Sequence, residues 1–226
     1  MFYLTLKMPY DIRFRNPFNL LISGASSSGK TTWVKNLLSL KSKLFTELPA
    51  KTFLFYKVMQ DIYLEMEETG LVNELINVSE NLPSLNEIQE MVHKYKDLGG
   101  SLLIFDDTMT DLHEDFEQIF CNISHHENAS VIFLTQNLFY QNKVFRTMSL
   151  NCHYMVLMKN DRDKQQISIL AKQFSPNNNA YITKAYAEAT KKPYSYLLLD
   201  FKPDGPQNLR VRSNIFEFPC IAYIEK

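Results

Sequence analysis

The chain has 226 residues, 45% hydrophobic and 22% charged, with a formal net charge of −1, a composition that fits a globular protein able to bury a substantial core. The near-neutral balance excludes one broad basic face for nucleic acid, so any such binding rests on a local patch or on patches pooled from several subunits. Cys121, Cys152 and Cys220 stand far apart and unpaired in spacing, no apolar run is long enough to span a bilayer, and Lys7, Asp11, Arg13 and Arg15 break the short apolar start; a soluble intracellular protein with no membrane contact is expected.

In chain order, the first predicted strand is Asn19–Ser23, an apolar run leading into Gly24-Ala25-Ser26-Ser27-Ser28-Gly29-Lys30-Thr31 and then a helix over Lys30–Leu40. This is GxxxxGK[ST] with strand before and helix after. Two glycines let the backbone curl so that successive N–H groups point at phosphate oxygens, and the helix N-terminus adds its positive dipole end. Lys30 is assigned to the β- and γ-phosphates of a nucleoside triphosphate and the Thr31 hydroxyl to Mg²⁺. Residues Gly24 to Thr32 form the expected nucleotide cradle, with Ala25, Ser26, Ser27, Ser28 and Thr32 contributing backbone and hydroxyl groups.

Strands follow at Thr52–Tyr56 and Leu75–Val78, with helices at Ile62–Thr69 and Ser84–Leu98; Pro83-Ser84 opens the latter and Gly99-Gly100 ends it. The next strand, Ser101–Phe105, is apolar and ends in Asp106-Asp107. A carboxylate at the end of a buried strand needs a cation or donors, so Asp106 is assigned to Mg²⁺. Asp107 is placed to accept a proton from the attacking water; capping the helix expected over Asp111–His125 is its other reading. The strand Ser130–Thr135 runs into Gln136, which should face the same crevice and hold the lytic water or sense the γ-phosphate, or else simply begin a loop.

Further strands are expected at His153–Met158 and Tyr196–Asp200, with a short terminal one at Leu209–Arg212, and helices at Asp163–Gln173 and Asn178–Thr190. Near-continuous apolar strands alternating with helices predict an α/β fold: a three-layer P-loop NTPase with a mostly parallel central sheet, in one domain over residues 1–226. Cys121 and the pair His125-His126 lack a second set of metal ligands and read as solvent-exposed or as a link to a neighbouring subunit. Phe139-Tyr140 is a candidate interface anchor.

Five blocks point further. Arg15-Asn16-Pro17-Phe18 leads to LLISGASSSGKTT; SLLIFDD, SHHENASVIFLTQN with Leu138-Phe139, SLNCHYMVLMKNDRDKQQ and KPYSYLLLDFKPD follow. The set resembles the genome-packaging ATPases of polinton-like and adintovirus-type elements, within the FtsK/HerA superfamily that includes the poxvirus packaging ATPase. The resemblance runs from about Arg13 to Asn214. It implies an ATPase that assembles as a pentameric or hexameric ring and threads double-stranded DNA, without sequence preference, into a capsid of viral capsid proteins, acting in the host cell nucleus or cytoplasm or in the virion. It also implies an arginine lent by the neighbouring subunit to each site, with Arg162 first and Arg146 second; ion pairing with Asp161 or Asp163 is the other reading of Arg162. Lys57, Lys94, Lys96, Lys143, Lys191 and Lys192 are pore candidates, each equally readable as an ordinary surface lysine. Two rival functions stand beside this one: a small nucleoside or metabolite kinase, and a nucleotide-gated interaction module with little turnover.

Overall fold

The computed structural model describes residues 2–6 (backbone only), 11–108, 117–138, 143–162, 164–217 and 219–225. Ten strands form one sheet: β1 (Phe2–Leu6), β2 (Asn19–Ser23), β3 (Lys51–Tyr56), β4 (Glu74–Asn77), β5 (Ser101–Asp106), β6 (Ala129–Thr135), β7 (Tyr154–Met158), β8 (Tyr196–Asp200), β9 (Val211–Ser213) and β10 (Cys220–Ile224). Their order is β1-β10-β9-β8-β7-β2-β6-β5-β3-β4. The six strands from β7 to β4 pair in parallel, and β8, β9, β10 and β1 extend the β7 edge as antiparallel neighbours.

The described helices are α1 (Lys30–Ser39), α2 (Lys41–Leu44), α3 (Asp61–Glu68), α4 (Leu85–His93), α5 (Ser124–His126), α6 (Lys143–Asn151), α7 (Lys164–Phe174) and α8 (Asn179–Ala189). Period-2 alternation along the strands divides the core into two faces. Leu20, Ile22, Ile104, Ile132, Leu134 and Val156 pack against Trp33, Val34 and Leu37 of α1 and Tyr63 and Met66 of α3. On the other face Leu21, Phe105, Val131, Phe133 and Met155 meet α4, α6, α7 and α8. β2 and β6 are buried at every residue, which is why both read as near-continuous apolar runs. The three-layer arrangement expected from the sequence is present.

Several expectations change in detail. Ser84 caps α4 in a reciprocal capping box with Glu87, but the helix ends at His93, and Lys96–Leu98 forms a separate 3₁₀ turn. The strand expected at Leu75–Val78 begins and ends one residue earlier, at Glu74–Asn77. Of the helix expected over Asp111–His125, residues 111–116 lie outside the described set; the remainder contains a π-helical turn, Ile119–Ile123. The short strand near Leu209 is Val211–Ser213, and it is not terminal: β10 follows and pairs with both β9 and β1. Neither β1, β10 nor α6 announces itself by a strong local pattern. Phe139-Tyr140 and Asp163 lie outside the described residues. Among the described residues, no helix is long and apolar enough to cross a membrane.

Candidate nucleotide site

Sheet order decides what meets at the carboxyl edge. β6 inserts between β2, which feeds the Gly24–Thr31 loop, and β5, which ends in Asp106. Ser23 is in register with Thr135, Phe105 with Phe133, and the Gly24 N–H donates to the Thr135 carbonyl at 3.1 Å. Gln136 therefore emerges between the loop and the two aspartates.

The loop is built by crowding as much as by flexibility. A Cβ on Gly24 would stand 2.6 Å from the Met158 Cβ of β7, so only glycine lets the backbone turn there. Gly29 caps α1 at φ +93°, and Ser27 also takes a left-handed conformation at φ +59°. Lys30 Nζ donates back to the carbonyls of Gly24 at 2.8 Å and Ala25 at 3.0 Å. Burial holds its ammonium below the usual lysine range, against the pull of Asp106 and Asp107.

Asp106 is 5% exposed. Its Oδ2 accepts from the Thr31 hydroxyl at 2.7 Å and from the Tyr63 hydroxyl at 3.0 Å, and Gln60 Nε2 donates to Tyr63 Oη at 2.9 Å. Burial pushes the Asp106 carboxyl up; the Thr31 and Tyr63 hydrogen bonds and the Lys30 charge oppose this. The Tyr63 phenol is likewise pushed up by burial and by the carboxylate it serves. An adjoining hydroxyl and carboxylate, with oxygen donors only, fit a hard cation such as Mg²⁺.

Asp107 is exposed and sits at φ +57°. The Gln136 amide donates to its Oδ1 at 3.3 Å. Behind Gln136, Gln166 of α7 donates to Asn137 Oδ1 at 2.7 Å and accepts from the Leu138 N–H at 2.9 Å, tying α7 to the exit of β6. The structure thus brings Lys30, Thr31, Asp106, Asp107 and Gln136 together.

Arg162 and Arg146 are exposed and stand apart from this cluster in sequence and element: Arg162 follows β7 in the turn before α7, and Arg146 lies on α6. Asp161 ion-pairs with Lys159 at 3.8 Å, and the Arg162 N–H donates to the Asn160 side chain. Among the lysines, Lys96 lies 3.8 Å from buried Glu127, and Lys191 pairs with Glu188 at 2.7 Å; both have structural partners. His125 packs edge-on to His153 rather than toward the site.

Sequence reasoning missed Tyr63 and Gln60. A tyrosine within DIYLEMEE carries no local sign of its partner 43 residues away. It also missed the far wall of the site. The cradle opens into a groove of about 1280 Å³ reaching Tyr194, Tyr196, Asn214 and Phe216.

A strand, a glycine-bounded loop and a helix facing a buried acidic strand end define an α/β protein of the P-loop NTPase class. The model of the poxvirus A32 protein family matches residues 7–173, and the chain belongs to that family. It is the family of the poxvirus packaging ATPase, and the resemblance seen in the sequence blocks holds at that level; the match does not bear on the polinton and adintovirus groups. No curated protein sequence matches the chain. Among solved structures it is similar to the genome packaging NTPase B204 from Sulfolobus turreted icosahedral virus 2, determined in complex with ATPγS, with 14% identity over 82% of this chain and 93% of that one and a TM-score of 0.49.

Proposed function

We propose that this chain is the ATPase subunit of a viral genome-packaging motor, hydrolysing ATP to drive double-stranded DNA into a capsid. The observation that carries the hydrolytic reading is the 2.7 Å contact between Thr31 and buried Asp106, which joins the phosphate loop to the acidic strand end. Membership of the A32 family supports the packaging role.

In this reading Lys30 leaves the Gly24 and Ala25 carbonyls for the β- and γ-phosphates, and Thr31 and Asp106 hold Mg²⁺. Mg²⁺ bound there neutralises charge on the phosphate oxygens. Gln136 orients the attacking water and Asp107 accepts its proton, a division of labour supported by their 3.3 Å hydrogen bond. Arg162, or else Arg146, stabilises charge on the transferred phosphoryl group from a neighbouring subunit; the exposure of both supports action in trans. A ring of five or six subunits pools modest basic loops around duplex DNA, which accommodates a subunit charge of −1. The single sheet shared by both ends of the chain supports one ATPase domain over 1–226.

Phosphate release from ATP by the purified chain, with and without duplex DNA, tests the proposal. Stimulation by DNA supports it. Transfer of phosphate to a nucleoside in place of water would sink it in favour of a kinase, and binding without turnover, even with DNA and assembled rings, would favour a nucleotide-gated module. Mass measurement with a non-hydrolysable ATP analogue and DNA reads the ring directly.

A further inference from the structure

The carboxyl edge of the sheet has a direction. From β5 to β8 it runs through Asp106-Asp107, Gln136, the phosphate loop, Met158 and the start of β8, because β8 is antiparallel to β7 and pairs Tyr196 with Met158. If the γ-phosphate end of a nucleotide belongs with Asp106, Asp107 and Gln136, its nucleoside must leave toward β8. This step rests on the nucleotide reading above.

What stands there is an exposed aromatic ring. Tyr194 is 70% exposed, takes a left-handed conformation at φ +60°, and lies beside the loop: a Cβ on Gly29 would come 3.3 Å from Tyr194 Cδ1. Left-handed backbone is uncommon for a bulky side chain and is retained where the surroundings hold it. Here the turn is closed by Ser195, whose N–H and hydroxyl both donate to the Lys192 carbonyl. Tyr194 lines the same continuous groove as the phosphate loop, with Lys192, Asn214 and Phe216. Phe216 is fixed by Trp33 of α1, ring centroids 5.2 Å apart. None of this wall falls within residues 7–173, apart from Trp33 and the loop itself.

We infer that Tyr194 is the base-stacking residue of the nucleotide site: its ring packs on the aromatic base of the bound nucleoside triphosphate, while Lys192, Asn214 and Phe216 complete the nucleoside end of the groove. Stacking is tolerant of base identity because every base offers a π-face, so the site takes a nucleoside triphosphate by its base ring and its phosphates together, with no choice among bases made by the stack itself.

Calorimetric titration of the full chain with ATP and with inorganic tripolyphosphate, both with Mg²⁺, separates the two ends of the site. Tyr194→Ala is expected to raise the Kd for ATP about tenfold, leave that for tripolyphosphate unchanged, and be rescued by Tyr194→Phe. Tyr194→Gly accepts the left-handed backbone without strain and guards against a folding defect in the alanine variant. Equal affinity of the alanine variant, the glycine variant and the wild type for ATP would overturn the inference. So would parallel loss of ATP and tripolyphosphate, which would make Tyr194 a prop for the loop. Failure of the wild type to bind tripolyphosphate while binding ATP would instead remove the phosphate-cradle reading on which the inference stands.

Discussion

The Tyr63 hydroxyl and the Thr31 hydroxyl donate to one and the same oxygen, Oδ2 of Asp106, at 3.0 and 2.7 Å. One donor comes from the phosphate loop's helix and the other from α3, so the buried carboxylate is oriented from two elements. Hydrogen-bonded outer partners of this kind set the position of a ligating group. Tyr63→Phe is therefore expected to raise the Mg²⁺ concentration for half-maximal ATP turnover about tenfold, with little change in saturated rate. An unchanged Mg²⁺ midpoint would assign Tyr63 to packing alone.

Asp106 carries a second consequence. A carboxylate held out of water is unfavourable until a cation joins it. Asp106→Asn keeps one acceptor oxygen for both hydroxyls and removes the buried charge, so the nucleotide-free protein should melt about 2–4 °C higher, the shift expected for about 1 kcal/mol in a chain of this size. The same variant should lose the extra melting temperature that Mg²⁺ and ATP together confer. Thermal melts with and without Mg²⁺-ATP read both effects.

Asp107 and Gln136 share a hydrogen bond at 3.3 Å on the exposed side of the site. Asp107→Asn preserves shape and removes the proton acceptor proposed above. ATP affinity should stay within about twofold while turnover falls by about 10²-fold or more. Single-turnover phosphate release beside equilibrium ATP binding checks the split, and turnover close to wild type would return Asp107 to a merely structural place in its loop.

At the opposite end of the sheet, His153 Nδ1 accepts from the Asn19 N–H at 2.9 Å. Burial, together with Lys202, His125 and Arg15, lowers its pKa from 6.5 to about 4. The folded state thus resists the proton that the unfolded chain takes up near 6.5. Stability from this group is present above that pH and declines as pH falls toward about 4. His153→Asn, which keeps an acceptor without a titrating ring, should flatten the difference in urea midpoint between pH 7 and pH 5. An unaltered difference would place the acid sensitivity elsewhere.

The chain's own residues determine the phosphate loop, the acidic strand end and the place of Gln136 at the end of an apolar strand. Those features are local: an apolar run buried on both faces, a glycine at each end of a tight loop, a carboxylate or amide where burial stops. What only tertiary structure decided is which strand ends become neighbours. The position of β6 between β2 and β5 sets Gln136 against Asp107, although nothing in either segment encodes sheet order. Tyr63 reaches Asp106 across 43 residues, and β1 pairs with β10 across nearly the whole chain. Tyr194 meets Gly29 only because an antiparallel β8 brings its start back to the carboxyl edge. Such contacts arise from packing between elements distant in sequence, so no local periodicity records them. Arg162 illustrates the same division: its turn is visible in the sequence, and the role in trans proposed for it would be decided only by an assembly.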